Sequence, residues 1–202
     1  PDLRLLSWGF GQNGRLGLGN TTSYSSPKQV GSLTTWYKLS MKGNVLAIKT
    51  DGTLWSWGRN GNGQLGLGNI TEYSSPKQVG ALTNWSKVAT KGNTFSLATK
   101  TDGTLWSWGQ NDSGQLGLGN LTNYSSPKQV GSLTNWANIA SEESNPFSLA
   151  TKTDGTLWSW GANVFGQLGL GNAVDRSSPN QVGALTSWLN VATCYGSSIA
   201  TK

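Results

Sequence analysis

Tryptophan is the residue with the most obvious chemical use in this sequence, which contains 11 of them in 202 residues. Exposed indole rings can bind sugars, nucleobases and cations through their faces. Each Trp, however, falls on one of three positions that recur along the chain, and the first copy of the third position holds Leu6 instead. A side chain that returns once per repeat is more simply explained by packing, so we predict a structural role for all of them. They are Trp8, Trp57, Trp108 and Trp160 at the first position, Trp36, Trp85, Trp136 and Trp188 at the second, and Trp55, Trp106 and Trp158 at the third.

The residues that usually perform catalysis or hold metals are scarce. The sequence has no His and one Cys, which excludes Ser-His-Asp triads, His-based zinc sites, thiolate metal cages and disulfides within the chain. That Cys194 lies in a predicted inner strand, and we expect it to be buried. Three of the nine carboxylates, Asp51, Asp102 and Asp154, precede Gly in one repeated turn, so they are spaced apart rather than paired for acid–base work. We therefore predict no enzymatic activity, no catalytic residue and no metal site.

Two glycine-rich segments, residues 9–14 and 61–66, match the Gly-x-Gly-x-x-Gly pattern of dinucleotide-binding loops. That loop requires a following helix whose N-terminus faces the pyrophosphate, whereas these segments run into the Leu-Gly-Leu-Gly motif. We interpret the glycines as loop residues that adopt positive φ or allow a close backbone approach. The sequence therefore predicts no cofactor.

The elements that would position these residues repeat about every 50 residues. Ser-Trp-Gly recurs four times, each time followed by Gly-x-Leu-Gly-Leu-Gly-Asn and then by Ser-Ser-Pro. Within one unit, alternating segments at 94–99 and 104–108 flank the turn Asp102-Gly103 and predict a hairpin. Residues 86–90 predict a short inner strand, and residues 128–130 a short outer one at a sheet edge.

Four short strands in about 50 residues is the pattern of a β-propeller blade. Glycine interrupts every window long enough for an amphipathic helix, which also favours an all-β fold. We therefore predict one all-β domain, a propeller of four-stranded blades that spans residues 1–202. Its repeat units are approximately residues 1–49, 50–100, 101–152 and 153–202.

The two ends of the sequence complement each other. Residues 3–8 align with the third strand of a unit, and residues 188–202 align with a first and a second strand. Because an unpaired sheet edge is a template for association, we expect the N- and C-terminal halves to form a composite blade, within one chain or between chains. Three closures stay open at this point: a four-bladed ring, an eight-bladed ring of two chains, and a segment of a longer array.

The motif Asp-Gly-Thr-Leu-Trp-Ser-Trp-Gly-x-Asn-x-x-Gly-Gln-Leu-Gly-Leu-Gly-Asn, followed by Ser-Ser-Pro-Lys-Gln-Val, is complete between Asp102 and Val130. It resembles the repeat of the regulator of chromosome condensation family, and the resemblance runs through all four units. It implies a propeller of four-stranded blades, commonly seven of them, closed by a composite blade. Chromatin binding and nucleotide exchange on a small GTPase, which the family performs with projecting loops and tails, are not carried over, because this sequence shows neither a basic tail nor a long insertion.

Some members of that family are ultraviolet photoreceptors whose sensing Trp lies in a Gly-Trp-Arg-His-Thr segment. The corresponding residues here, 91–95, contain neither Trp nor Arg, which argues against light sensing.

Charge and hydropathy restrict the class of partner. The formal net charge of +6 favours an anionic partner, but seven of the 15 basic residues recur at two repeat positions and predict a diffuse, solvated rim. We therefore do not expect nucleic acid as a partner. No apolar segment approaches 18 residues, so we expect no membrane insertion.

The loops that differ between otherwise similar units are the candidate recognition surface. We expect them to bind a protein partner, with the chain acting as a non-catalytic scaffold in a larger structural, extracellular or viral-particle protein. The candidate contact residues are Arg59, Glu72, Asp112, Glu142, Glu143, Phe165 and Arg176. Homo-oligomers through a shared composite blade are also compatible with the sequence.

Two functions from other classes stay open. The first is a multivalent lectin that binds glycans at one shallow site per unit, which would need exposed indoles. The second is a guanine-nucleotide exchange factor for a small GTPase.

Overall fold

The computed structural model describes residues 3–90, 94–142 and 144–202 of the chain. Its regular structure is β-strand apart from one 3₁₀ turn, η1, at Gln12–Gly14. The all-β prediction is therefore confirmed. In the described residues no helix has the length and the apolar character that crossing a bilayer requires.

Twelve strands form three four-stranded antiparallel sheets, each an up-and-down meander in chain order. We call these sheets the first, second and third blades. The first blade contains β3 (Trp36–Met41), β4 (Asn44–Lys49), β5 (Leu54–Gly58) and β6 (Tyr73–Gln78); the second contains β7 (Trp85–Ala89), β8 (Phe95–Lys100), β9 (Leu105–Gly109) and β10 (Tyr124–Gln129); the third contains β11 (Trp136–Glu142), β12 (Phe147–Lys152), β13 (Leu157–Gly161) and β14 (Arg176–Gln181).

The other four strands form two separate two-stranded sheets. The N-terminal half-blade pairs β1 (Leu6–Gly9) with β2 (Tyr24–Gln29), and the C-terminal half-blade pairs β15 (Asn190–Cys194) with β16 (Ser197–Thr201). The N-terminal half-blade packs on the first blade and the C-terminal half-blade packs on the third. The two halves are thus at opposite ends of the blade series, and the composite blade is not formed within this chain.

The predicted hairpin in each blade lies where the sequence places it. In the second blade Gly103 adopts φ +77 and its amide donates to the Lys100 carbonyl at 3.0 Å, which closes the turn between β8 and β9. The outer strand is longer than predicted, because β10 begins at Tyr124 and passes through Pro127. The pairing of β10 with β9 is irregular between Tyr124 and Lys128, and this irregularity accommodates the missing Pro amide.

The core lies between blades rather than within one of them. One buried cluster combines Leu46 and Ile48 of the first blade with Trp85 and Trp108 of the second. Equivalent clusters join the N-terminal half-blade to the first blade and the second blade to the third. Because each sheet buries its faces only against its neighbours, the stability of the array depends on consecutive contacts.

The prediction that Cys194 is buried is wrong, because its side chain is exposed. It lies on β15, where no third and fourth strand complete the C-terminal half-blade.

Candidate functional site

The predicted recognition loops all lie at one end of the blades. In an up-and-down sheet, the connection between the first and second strands and the connection between the third and fourth strands project from the same end. The third-to-fourth connections are the longest, at residues 59–72, 110–123 and 162–175. We call this end the long-loop face and the other end, which carries the Asp-Gly turns, the turn face.

Most of the predicted contact residues are accessible on the long-loop face. Arg59, Glu72 and Asp112 are exposed, and the Phe165 side chain is 72% exposed. Arg176 is half-buried at the first residue of β14. The structure distributes these residues over the three blades instead of bringing them into one pocket.

Glu142 departs from the prediction because it is only 6% exposed. The sequence suggested a loop at this position, but β11 extends to Glu142, which pairs with Phe147 of β12. The side chain is therefore held in the blade and is not part of the accessible long-loop face. Glu143 lies outside the described residues.

A buried asparagine holds each long loop in shape, and the sequence analysis missed this role. In the second blade the Asn111 side chain donates to the Asn120 carbonyl at 2.9 Å and accepts from the Leu116 amide at 2.9 Å. Asn60 and Asn163 make the equivalent bonds in the other two blades. The sequence did contain a signal for this role, since an Asn recurs at the same repeat position of the glycine-rich loop in each complete blade. A buried side-chain amide needs hydrogen-bond partners, and here the loop backbone supplies them.

The long loop of the N-terminal half-blade is built differently. Gly11 replaces the asparagine, and a Cβ there would overlap the Thr22 carbonyl, so the loop closes by backbone contact and the η1 turn. Asn13 within that turn adopts φ 58 and donates to both carboxylate oxygens of Glu72 at 2.9 Å. Glu72 is therefore exposed but already paired with the neighbouring loop.

The first strand of each blade and of the C-terminal half-blade carries a polar side chain at one repeat position, and these four side chains form a row. Lys38, Lys87, Asn138 and Asn190 stand two residues after the second Trp position of each unit and line a groove of about 390 Å³. Lys38 donates to the Ser86 carbonyl at 2.8 Å, Lys87 to the Ala137 carbonyl at 2.7 Å, and Asn138 to the Leu189 carbonyl at 2.6 Å. Burial lowers the pKa of the Lys87 ammonium below its ordinary value, and the charge of Lys38 lowers that pKa further. The row ties each blade to the next, and sequence reasoning did not find it.

The sequence predicted that two repeated sets of lysines lie on a solvated rim. One of the two sets is buried instead. Lys49, Lys100 and Lys152 are buried near the turn face. Lys100 Nζ lies 3.7 Å from the Trp106 ring centroid and 5.0 Å from that of Trp85, and burial lowers its pKa. The ammonium is retained because the two indole faces supply cation–π attraction in place of water. Lys28, Lys77 and Lys128 remain exposed on the outer strands.

The turn-face carboxylates have a structural function. Asp102 Oδ1 accepts hydrogen bonds from the Thr104 amide at 3.0 Å and the Thr104 hydroxyl at 2.6 Å. The Thr104 hydroxyl in turn accepts from Trp106 Nε1 at 2.9 Å. The hydrogen bonds from Thr104 hold the pKa of Asp102 below its usual value. Asp51 and Asp154 repeat the arrangement, and no group of His, Cys, Asp and Glu in the described part of the chain could hold a metal ion.

The indoles fall into three environments. The first and second Trp positions are buried in the complete blades, where Trp85 meets Trp108 edge-on at 6.2 Å between ring centroids. The third position is half-buried beneath its lysine, and Trp188 is also half-buried. Trp8 departs from the packing prediction, because it is 57% exposed on the N-terminal half-blade. Its equivalents pack against the long loop of the preceding sheet, as Trp108 Nε1 donates to the Gln64 carbonyl at 2.8 Å, and no such loop packs on Trp8 in the described residues.

Comparison with known sequences agrees with this architecture. The family model described as the regulator of chromosome condensation (RCC1) repeat matches residues 4–40, 51–99, 102–141 and 154–200. The ultraviolet-B receptor UVR8 of Arabidopsis thaliana is 33% identical over 182 residues, which cover 87% of this chain and 41% of the receptor. The RCC2 homolog of Danio rerio is 41% identical over 75 residues, which cover 37% of this chain and 15% of that protein. The residues that argued against light sensing, 91–95, lie partly outside the described residues, so that interpretation stays a prediction.

Solved structures show the same fold. Human WBSCR16 matches with a TM-score of 0.81 at 25% identity, covering 95% of this chain and 51% of its own. Prp20p of Saccharomyces cerevisiae matches with a TM-score of 0.82 at 22% identity, covering 94% of this chain and 49% of its own. This chain thus spans about half the length of the structures it matches and less than half the length of the curated relatives. The propeller prediction is confirmed, and the chain belongs to the regulator of chromosome condensation (RCC1) repeat family.

Proposed function

We propose that this chain is a non-catalytic propeller module that binds a protein partner through its long-loop face. The observation that carries the proposal is the separation of constant and variable residues. The asparagine clamp, the interblade indoles and the lysine–indole contacts repeat from blade to blade. The exposed side chains that differ between blades project from one end of this rigid frame.

The chemistry of the long-loop face fits a protein surface of mixed character. Arg59 on the first blade and Asp112 on the second offer opposite charges, and the exposed Phe165 on the third offers an apolar anchor. Aromatic and arginine side chains contribute disproportionately to binding energy in protein interfaces. Because these groups are spread over three blades, we expect a partner that spans the face rather than a small molecule held in one pocket.

The related structures support the class of partner. The yeast neighbour Prp20p is described with binding properties to Gsp1p and histones, and yeast RCC1 is described bound to Kap60. Those descriptions belong to proteins about twice as long as this chain. We therefore use Gsp1p, Kap60 and histones only as test partners for binding.

The test measures binding of purified yeast Gsp1p, Kap60 and histones to the full chain by biolayer interferometry. The variant Arg59→Ala/Asp112→Ala/Phe165→Ala removes the variable groups of the long-loop face. The matched control, Lys28→Ala/Lys77→Ala/Lys128→Ala, removes exposed groups from the outer strands. We expect at least one probe to bind, the long-loop variant to weaken it at least tenfold, and the control to change it less than about twofold. Equal weakening by both variants, or binding of none of the three probes, would contradict the proposal.

Nucleotide release from Gsp1p, followed in the same samples, separates simple binding from exchange-factor activity. Under the scaffold proposal the chain leaves the release rate unchanged. Accelerated release that is lost in the long-loop variant would favour the exchange-factor function instead.

A lectin is the second candidate, and a repeated groove favours it. Two equivalent grooves between blades, of about 380 and 310 Å³, are lined by Trp85 with Trp106 and by Trp136 with Trp158. One face of each third-position indole is already covered by its lysine. A glycan array with wild-type chain and Trp106→Ala/Trp158→Ala distinguishes the functions, because glycan signals lost in that variant would support the lectin.

A further inference from the structure

The polar row on the first strands of the blades changes its charge along the chain. One repeat position holds Lys38 in the first blade, Lys87 in the second and Asn138 in the third. Each side chain donates to the main-chain carbonyl that follows the second Trp position of the next unit, at 2.8, 2.7 and 2.6 Å respectively. The neutral Asn138 thus makes the same bridge between sheets as the two lysines. The bridge therefore does not require a positive charge.

The two positive charges are costly where they stand. Burial lowers the pKa of the Lys87 ammonium, and the charge of Lys38 lowers it further. Both causes disfavour the charged form, the first through lost hydration and the second through repulsion between like charges. An asparagine at both positions would keep the bridge and avoid both costs. A costly charge that packing does not need is a mark of a functional site.

The groove around these side chains provides no negative charge to balance them. Its volume is about 390 Å³, and no carboxylate lines it in the described part of the chain. The Tyr37 ring centroid lies 5.1 Å from Lys38 Nζ and offers a weak cation–π contact. The first strands of the blades contain one carboxylate, Glu142, which is four residues beyond Asn138 on β11. At the rise of a β-strand this separation is about 13 Å.

The hydrogen-bonding groups that remain free in the groove are mainly donors. An ammonium carries three N–H groups and a side-chain amide carries two. Lys38 uses one of them on its carbonyl, whereas Lys87 uses one on its carbonyl and one on Asn138 Oδ1 at 2.7 Å. Asn138 uses one on its own carbonyl acceptor. Both lysines and Asn138 therefore have N–H groups left for a ligand, while Asn138 Oδ1 already accepts from Lys87.

We propose that this groove binds a compact oxyanion with two negative charges, of the class of a phosphoryl group. Two ammonium groups balance a dianion, whereas a carboxylate would neutralise only one of them. Lysine binds phosphate oxygens as a point charge, and hydrogen bonds to an ionised group are the strong ones. The site does not use the long-loop face, so its failure would leave the function proposed above untouched.

The groove also has room for more than the oxyanion. Its volume is more than ten times the share of one water molecule in the liquid, which is about 30 Å³. An apolar row lies beside the polar row and would contact an organic substituent on the phosphoryl group. This apolar row consists of Leu39, Val88, Ile139 and Val191.

Isothermal titration calorimetry of the full chain with inorganic phosphate tests the site, with sodium chloride at matched ionic strength as the reference titration. We expect one saturable site with a dissociation constant of about 1 mM or lower. The variant Lys38→Asn/Lys87→Asn copies the residue of the third blade, so it should keep the bridges and weaken phosphate binding by about tenfold or more. Its thermal unfolding midpoint without phosphate should be no lower than that of the wild type. No saturable binding, unchanged affinity in the variant, or a lower midpoint would overturn the proposal.

Two further variants separate this site from general attraction to a basic protein. Lys77→Asn/Lys128→Asn removes the same charge from exposed positions on the outer strands and should change the phosphate affinity by less than about twofold. Equal weakening by this control would overturn the proposal. Asn138→Lys adds a third ammonium at the same repeat position and should tighten phosphate binding by about threefold or more. Unchanged affinity in Asn138→Lys would count against the groove as the binding site.

Phenyl phosphate and acetate, titrated in the same way, identify the class of anion. Phenyl phosphate that binds more tightly than inorganic phosphate would assign the site to a phosphoryl group on a larger molecule, because its ring reaches the apolar row. Equal or weaker binding would assign the site to free phosphate. Either assignment requires that Lys38→Asn/Lys87→Asn lose the binding. Acetate that binds as tightly as phosphate would overturn the proposal, because a single negative charge would then be enough.

Discussion

The second blade and the two half-blades use the same repeat residues in different surroundings. Trp108 is completely buried in the second blade, whereas Trp8 at the same repeat position is mostly exposed on the N-terminal half-blade. Leu97 and Ile199 show the same contrast at the C-terminal end. The comparison shows that a repeat does not bury its own indole; the adjoining sheet does.

This contrast has an energetic consequence. A two-stranded sheet is marginal by itself, while a four-stranded sheet that packs on both faces is stable. The complete blades therefore provide the rigid frame, and each half-blade depends on one neighbour.

Removing an interblade indole should separate the two regions most clearly. Trp108→Ala should lower the free energy of unfolding by about 3–5 kcal/mol, because it leaves a cavity between two blades. Trp8→Ala should cost less than about 1 kcal/mol, because the side chain is mostly in water already. Urea unfolding followed by circular dichroism measures both. Similar losses for the two variants would mean that Trp8 is buried in solution.

The asparagine clamp provides the second test. Asn111→Ala should cost about 2–3 kcal/mol, because it leaves the Leu116 amide and the Asn120 carbonyl without their partner in a buried loop. Asn62→Ala in the first blade is the matched control, because only the backbone amide of Asn62 takes part in that loop's bonding. Its effect should stay within about 0.5 kcal/mol. An Asn111→Ala protein as stable as wild type would contradict this role. It would indicate that the long loop of a complete blade, like that of the N-terminal half-blade, holds its shape without the asparagine.

Acid should destabilise the complete blades by protonating the aspartates of their turns. The folded pKa of Asp102 lies below its ordinary value of 3.8, so the folded chain binds fewer protons than the unfolded chain in the interval between these two values. The stabilisation from this carboxylate is therefore fully present above the ordinary pKa and is lost as the pH falls through the folded pKa. Asp102→Asn should be less stable than wild type at pH 7, and the gap should narrow as the pH falls through the folded pKa of Asp102. A gap that is independent of pH would show that the ionised carboxylate does not stabilise the turn.

The smallest effect is expected where the N-terminal half-blade touches the first blade at the surface. Glu72→Ala removes the acceptor of the Asn13 side chain, but both residues are accessible to water. We expect a change of less than about 0.5 kcal/mol in thermal or urea unfolding. A loss above about 1 kcal/mol would mean that this contact orders the whole N-terminal half-blade.

Much of the fold was predictable because its signals are local. The Asp102-Gly103 turn, the alternating strands around it and the repeated Trp positions each depend on residues close in sequence. The candidate loops were found because variation between equal units stands out against a constant frame. The burial of Glu142 could not be found in this way, since it depends on how far β11 extends beside β12.

The lysines at the second-strand ends show the same limit. Lys49, Lys100 and Lys152 looked like solvent-facing charges, because a charged residue at a strand end is usually solvated. Their burial requires two indoles from different strands to approach the same ammonium. That coincidence exists only after the sheet has formed.

The sequence by itself determined the 50-residue period, the all-β character, the positions of the turns and the membership of one repeat family. These properties follow from short-range pattern, which every unit carries in full. Only the tertiary structure decided which indoles are covered, which carboxylates remain accessible, and that the two half-blades stand apart within one chain. Burial is a property of two surfaces in contact, so identical residues acquire different environments at the middle and at the ends of the array.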